Sequence, residues 1–90
     1  MTLFYIRFKK IDPNRGTPYF GNFVLPHKSV DEVLKSLKEN ETIAAVRLYA
    51  SIDPKDPEAL IVNREEERSI HRDAIDMVAV SRFKTYRVEK

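Results

Sequence analysis

The chain has 90 residues, of which 42% are hydrophobic and 33% charged, and its formal net charge is +2. This balance argues against a disordered or membrane-embedded chain and predicts one small globular domain with a thin core. The absence of cysteine excludes disulfides, thiolate metal sites and a cysteine nucleophile. Without a signal-peptide pattern or a membrane-span pattern, we expect a cytoplasmic protein that does not associate with membranes.

The first predicted element is a β-hairpin. Residues 2–11 alternate large apolar and polar side chains, which is the period of a half-buried strand. Residues 12–18 are rich in turn formers, and residues 19–25 are expected to return beside the first strand. Gly21 inside this second strand indicates a β-bulge or a close approach of another group to the backbone.

A helix is predicted over residues 30–39. Ser29 and Glu32 stand in the S-x-x-E spacing of a capping box, in which each side chain satisfies an orphan amide. The apolar residues that follow recur at helical spacing and form one stripe: Val30, Val33, Leu34 and Leu37. Asn40 is expected to end the helix.

A second hairpin follows the helix. Residues 42–52 are rich in strand formers, residues 53–57 form a proline-containing turn, and residues 59–62 are predicted to return as a strand. The alternative is a helix that begins at Asp56, because aspartate and then proline are typical of a helix start. The β-branched pair within residues 59–62 favours the strand.

The C-terminal third is highly charged at first and then apolar. Residues 64–75 permit a short surface helix, and an extended hairpin arm is the alternative. Residues 77–88 are predicted to form one long strand. The chain is therefore predicted to be a single α+β domain over residues 1–90, in which an antiparallel sheet of about four to five strands packs in two layers with one helix.

Candidate catalytic and metal-binding residues are few. If residues 64–75 were helical, Glu67 and His71 would lie one turn apart and could approach one metal ion. The only other histidine is His27, and an isolated acidic run is usually a solvated surface. No serine lies in a nucleophile-elbow motif, and neither glycine belongs to a phosphate-binding loop. We predict no catalytic residues, no bound metal and no cofactor.

Basic and aromatic residues interleave in two predicted strands. If these strands were neighbours, one sheet face would combine tyrosine rings with cations, as single-stranded nucleic acid binding requires. The residues of this candidate nucleic-acid or anion face are Tyr5, Arg7, Lys9, Arg82, Lys84 and Tyr86. The alternative is an ordinary solvated face, because long basic side chains cover apolar surface while their charges stay in water.

An aromatic cluster around Gly21 is a candidate self-association surface, since aromatic residues anchor interfaces and small domains gain by sharing a core. Its members are Tyr19, Phe20 and Phe23. The charge is also segregated, with basic ends around an acidic middle at residues 31–76. The sequence thus favours a non-enzymatic interaction module of unknown partner that forms a homodimer or another homo-oligomer. A single-stranded nucleic-acid-binding domain is the alternative, and a small hydrolase or metal enzyme around Glu67 and His71 is the weakest hypothesis.

Overall fold

A computed structural model describes residues 2–89 as one six-stranded sheet with one α-helix. In chain order the elements are β1 (Leu3–Asp12), β2 (Thr17–Val24), α1 (Val30–Glu39), β3 (Thr42–Asp53), β4 (Asp56–His71), a 3₁₀ turn (Arg72–Ala74), β5 (Ile75–Val80) and β6 (Thr85–Val88). The strand order in the sheet is β5-β1-β2-β3-β4-β6. The α+β class is confirmed.

The predicted strand count and strand directions are wrong in detail. The sheet has six strands, and β6 runs parallel to β4 whereas the other neighbours are antiparallel. The single strand predicted over residues 77–88 is in fact two strands, because the chain leaves the sheet after Val80. It then crosses to the opposite edge of the sheet, where β6 pairs with β4.

Residues 64–75 do not form the helix that was one of the two alternatives. They extend β4 to His71, and pairing with β3 continues from Asp53 opposite Asp56 to Thr42 opposite His71. Too few apolar residues lie at helical spacing here to bury a helix face, whereas a neighbouring strand satisfies every second backbone group. The extended hairpin arm is therefore the correct alternative, followed by the short 3₁₀ turn.

The predicted helix is confirmed over Val30–Glu39. The Ser29 side chain accepts a hydrogen bond from the Glu32 amide at 3.2 Å, and the Glu32 carboxylate accepts one from the Lys28 amide. At the other end, the Asn40 backbone and side chain both donate to the Ser36 carbonyl. Three of the four predicted stripe residues pack on the core, but Leu34 is 44% exposed.

The sheet carries a core on each face. The first lies under the helix and is built around three side chains that are at most 1% exposed, namely Phe4, Ile6 and Phe23. The second lies on the opposite face, where Phe83 and Tyr86 cover a smaller cluster. Its buried members are Leu3, Leu48, Leu60 and Val62. No helix within residues 2–89 is long and apolar enough to cross a membrane.

The crossing segment shows that the sheet is strongly coiled. The Ser81 amide donates to the Leu3 carbonyl at 2.8 Å, and the Lys84 amide donates to the Glu58 carbonyl at 2.7 Å. Three residues span at most about 11 Å, whereas the five strand spacings from β5 to β6 in a flat sheet amount to about 24 Å. Coiling therefore brings the β5 edge towards β4 at this end and wraps the C-terminal segment over the second core.

Candidate functional site

An arginine cluster occupies the helix-side face of β3 and β4, beyond the end of the helix. Because side chains alternate between the two faces of a strand, every second residue of the charged run points to this face. The register places Tyr49 opposite Arg64, and Arg47 opposite Glu66. We call the following residues the arginine cluster: Arg47, Tyr49, Arg64, Glu66 and Arg68.

Tyr49 lies at the centre of this cluster. The Arg64 guanidinium carbon lies 4.1 Å from the centroid of the Tyr49 ring, and that of Arg47 lies 4.8 Å from it. The Arg68 guanidinium donates to the Tyr49 hydroxyl at 3.2 Å. Glu66 forms ion pairs with both Arg64, at 3.4 Å, and Arg68. One carboxylate therefore holds two of the three arginines, and the cluster keeps a surplus of positive charge.

Arg47 lies across the backbone of β2 at Gly21. Its Nη2 atom donates to the Phe20 carbonyl at 3.2 Å, and its guanidinium carbon lies 5.9 Å from the Phe23 ring centroid. A Cβ atom at Gly21 would lie 3.2 Å from the Nε atom of Arg47, which is too close for ordinary packing. The glycine thus permits the close approach that was one of its two predicted roles. The Nε atom is buried and has no hydrogen-bond partner among the described residues.

A cleft of about 660 Å³ opens beside the arginine cluster, and we call it the basic cleft. The pairing of β1 with β2 is irregular between Arg7 and Ile11, and in this stretch the consecutive residues Lys9 and Lys10 both line the cleft. Its lining is Phe8, Lys9, Lys10, Tyr19, Arg47, Arg68, Ser69, Ile70, His71 and Ala74. Four permanent cations thus meet an apolar floor, and no acidic residue is among the described residues that line the cleft.

The positive potential of the arginine cluster is visible in two ionisation equilibria. Burial opposes the ionisation of Tyr49, but the hydrogen bond from Arg68 and the neighbouring guanidiniums outweigh burial and hold the pKa of Tyr49 below its ordinary value. The hydrogen bond from Arg68 likewise lowers the pKa of Glu66. The cluster therefore shifts both groups towards ionisation relative to their ordinary behaviour, as a positive local potential does.

The six residues of the predicted nucleic-acid face do not share one face. Tyr5 and Arg7 lie on the face opposite the helix, where Arg7 forms an ion pair of 2.8 Å with Asp76. Lys9 lines the basic cleft. Arg82 and Lys84 belong to the segment that crosses between the sheet edges, and Tyr86 packs on the second core. The condition for that face, two basic strands side by side, is not met, because β6 lies at the edge next to β4.

Two of these six residues meet in a second depression, which we call the aromatic groove. Its volume is about 370 Å³ and it lies on the face opposite the helix. It is lined by Tyr5, Phe20, Asn22, Ala79, Val80, Ser81, Arg82 and Phe83. The rings of Tyr5 and Phe20 are 5.7 Å apart and tilted by 34°, and the Arg82 guanidinium carbon lies 4.4 Å from the Phe83 ring centroid.

The predicted self-association residues are distributed over three environments. Phe23 is 1% exposed and belongs to the first core, so it is not at the surface. Tyr19 is half-buried in the basic cleft, and Phe20 is 43% exposed in the aromatic groove. Consecutive strand residues point to opposite faces, which separates Tyr19 from Phe20.

Glu67 and His71 do not approach each other as residues one helical turn apart would. Both lie on β4, where four residues span about 13 Å. The His71 Nδ1 atom instead accepts a hydrogen bond from the Asp73 amide at 3.1 Å. Among residues 2–89, no group of three or more histidine, aspartate or glutamate side chains is placed to hold a metal ion.

The chain matches no protein-family model, no curated protein and no solved structure.

Arg47, Tyr49, Arg64 and Arg68 were not among the site residues predicted from the sequence. The signal was the alternation in Arg64–Arg68, which sorts the two arginines and Glu66 onto one face of a strand and Glu65 and Glu67 onto the other. That signal has meaning only if the segment is a strand. A helical interpretation spreads the same charges around an axis.

Proposed function

We propose that this protein is a non-enzymatic binding domain whose partner presents anionic groups to the basic cleft. One observation carries this proposal: Lys9, Lys10, Arg47 and Arg68 line one cleft whose described lining contains no carboxylate, and the carboxylate of Glu66, which engages Arg68, is already shared with Arg64. Like charges repel, and the single carboxylate of Glu66 offsets only part of this repulsion, so a bound anion would stabilise the cleft.

The two arginines are held in place before any ligand arrives. Arg68 is fixed by Tyr49 and Glu66, and Arg47 is fixed by the Phe20 carbonyl. A fixed guanidinium loses less conformational entropy on binding, and its planar fork matches carboxylate and phosphate oxygens. The lysines are exposed and adjustable, so they suit a flexible or repetitive anion.

The test is a comparison of two double variants with identical net charge. Lys9→Ala/Lys10→Ala removes two cations from the basic cleft, and Lys35→Ala/Lys38→Ala removes two from the exposed side of the helix. The probe is a fluorescein-labelled abasic deoxyribose-phosphate dodecamer, which offers phosphates without bases, and the readout is fluorescence anisotropy over a salt titration. The cleft variant should lower the slope of log K against log salt by about 1.4, since each lost contact with a single strand accounts for about 0.7.

The helix variant should leave both affinity and slope close to those of the wild type, because its lysines lie outside the cleft. Equal losses in the two variants would mean that only overall charge matters, and no binding at low salt would remove the proposal.

We also propose that two copies associate through the free edge of β5. Within the described chain β5 pairs only with β1, and Val80 at its end is 58% exposed. An edge strand with unpaired amides and carbonyls is a template for pairing with another strand. A second copy supplies the same edge, and antiparallel pairing of β5 with itself would give the two-fold symmetry common in dimers.

A further inference from the structure

The aromatic groove offers three rings from three different segments of the chain. Tyr5 comes from β1, Phe20 from β2, and Phe83 from the segment that crosses to β6. Phe20 is unusual because 43% of its surface remains exposed although its ring has an aromatic neighbour. Aromatic rings that serve only a core lose nearly all of their exposed surface, as Phe4 and Phe23 do. The groove therefore leaves a large part of Phe20 open to solvent beside two half-buried rings.

The polar groups of the groove suit a flat heterocycle with an anionic tail. The Ser81 hydroxyl donates to Asn22 Oδ1 at 2.7 Å, so the Asn22 amide nitrogen is left to donate to a ligand carbonyl. Arg82 lies against Phe83, and no acidic side chain is among the described residues that line the groove. A volume of about 370 Å³ accommodates one nucleoside rather than a folded protein segment.

We propose that the aromatic groove stacks an unpaired base of a single-stranded nucleic acid, with Arg82 meeting the neighbouring phosphate. The inference rests on the proposed function, because it names the chemical class of the anionic partner. It adds a second site on the opposite face of the sheet, where a base is bound together with its neighbouring phosphate. Stacking tolerates any sequence because every base has a π-face.

The experiment compares two labelled dodecamers that carry equal charge. One is oligothymidylate and the other is the abasic dodecamer described above, and anisotropy is measured for both at low salt. The wild type should bind oligothymidylate about 5- to 150-fold more tightly than the abasic strand, which corresponds to about 1–3 kcal/mol for one stacked base. Phe20→Ala should bring this ratio close to one while the affinity for the abasic strand stays unchanged.

Two further variants control for structure. Phe20→Trp keeps an aromatic face and should preserve the ratio, and Leu34→Ala removes another exposed apolar side chain, 44% exposed, from the helix. The Leu34→Ala variant should also preserve the ratio. If Phe20→Ala lowered the thermal midpoint sharply, Arg82→Ala would take its place. Arg82→Ala should weaken the binding of oligothymidylate more than that of the abasic strand, since the phosphate it meets is fixed by the stacked base.

The outcomes separate this inference from the proposed function. Equal binding of both strands by the wild type would overturn base stacking while leaving the anion-binding cleft intact. An equal loss of affinity for both strands on Phe20→Ala would also overturn it. Failure to bind either strand would remove the proposed function itself. Tighter binding of a polyglutamate peptide than of oligothymidylate would assign the partner to acidic proteins and refute the inference.

Discussion

Replacement of Arg47 by methionine should separate binding from stability. Methionine is an unbranched side chain without charge, whereas the atoms of Arg47 that lie over Gly21 and beside the rings of Phe23 and Tyr49 belong to its guanidinium. The substitution removes the guanidinium, which donates to the Phe20 carbonyl but also buries an Nε–H without a partner. The variant therefore loses the hydrogen bond to the Phe20 carbonyl and the cation–π contacts with Tyr49 and Phe23, and it also removes the buried donor without a partner.

The hydrogen bond and the buried donor make opposing contributions of similar size. A hydrogen bond from a charged group contributes about 1.5–3 kcal/mol, and a buried donor without a partner costs about 1–3 kcal/mol. Arg47→Met should therefore change the free energy of unfolding by less than about 2 kcal/mol, or on the order of 10 °C in Tm for a domain of this length. Arg47→Ala also uncovers the two rings. It should destabilise the protein by about 1–2.5 kcal/mol more than Arg47→Met does, which is half the cost of replacing a fully buried methionine by alanine.

The affinity for an anion should depend on the charge of residue 47 rather than on how well its side chain packs. Loss of one guanidinium contact should weaken binding of the abasic dodecamer about 10-fold at low salt and lower the salt slope by about 0.7. The control is Arg15→Met, which removes the same charge from the exposed β1–β2 turn. Arg47 would be a packing residue, contrary to this prediction, if Arg47→Met destabilised the protein by more than about 2 kcal/mol and bound the abasic dodecamer as tightly as Arg15→Met does.

Two further predictions concern ionisation and assembly. The pKa of Tyr49 is lowered in the folded state, so the unfolded chain binds more protons than the folded chain at pH values between that pKa and 10.0. The stability of the wild type relative to Tyr49→Phe should therefore rise with pH in this window. Urea unfolding at successive pH values measures this rise, and Arg68→Gln should diminish it. A stability difference between the wild type and Tyr49→Phe that stays flat or falls with pH would contradict the prediction. Light scattering at tens of micromolar should give about twice the chain mass of 10.5 kDa, and a clean monomer would refute pairing through β5. Val80→Lys should shift the protein to monomer, whereas Leu34→Lys, a matched change on the helix, should not.

The parts of the fold that the sequence predicts well are those decided within a few residues. The capping box at Ser29 and the apolar stripe that follows are local, so the helix boundaries follow from the sequence alone. Likewise, the turns after β1 and β3 are marked by proline, aspartate and asparagine. Hairpins with such turns pair with their sequence neighbours in most proteins, which made both hairpins predictable.

The errors arose where a distant partner decides the structure. Nothing within residues 77–88 requires the strand to break at Val80. The break lets Phe83 and Tyr86 cover the second core, whose buried members lie on distant strands: Leu48, Leu60 and Val62. The extension of β4 to His71 depends in the same way on pairing with β3. Long-range pairing overrides local propensity in sheets, so periodicity within one segment does not identify such strands.

The small net charge of the chain does not describe the charge of each face, because the sheet sorts charges by face. In the run from Arg64 to Arg68, both arginines point to the helix-side face, whereas Glu65 and Glu67 point away from it. The only carboxylate of this run on the basic side is Glu66, and two arginines already engage it. The acidic residues on the far side lie within about one Debye length, but their carboxylates are exposed, and the surrounding water and salt reduce their effect at the cleft. The acidic middle of the sequence therefore does not cancel the basic cleft, since three-dimensional position rather than sequence position sets the field that a ligand meets.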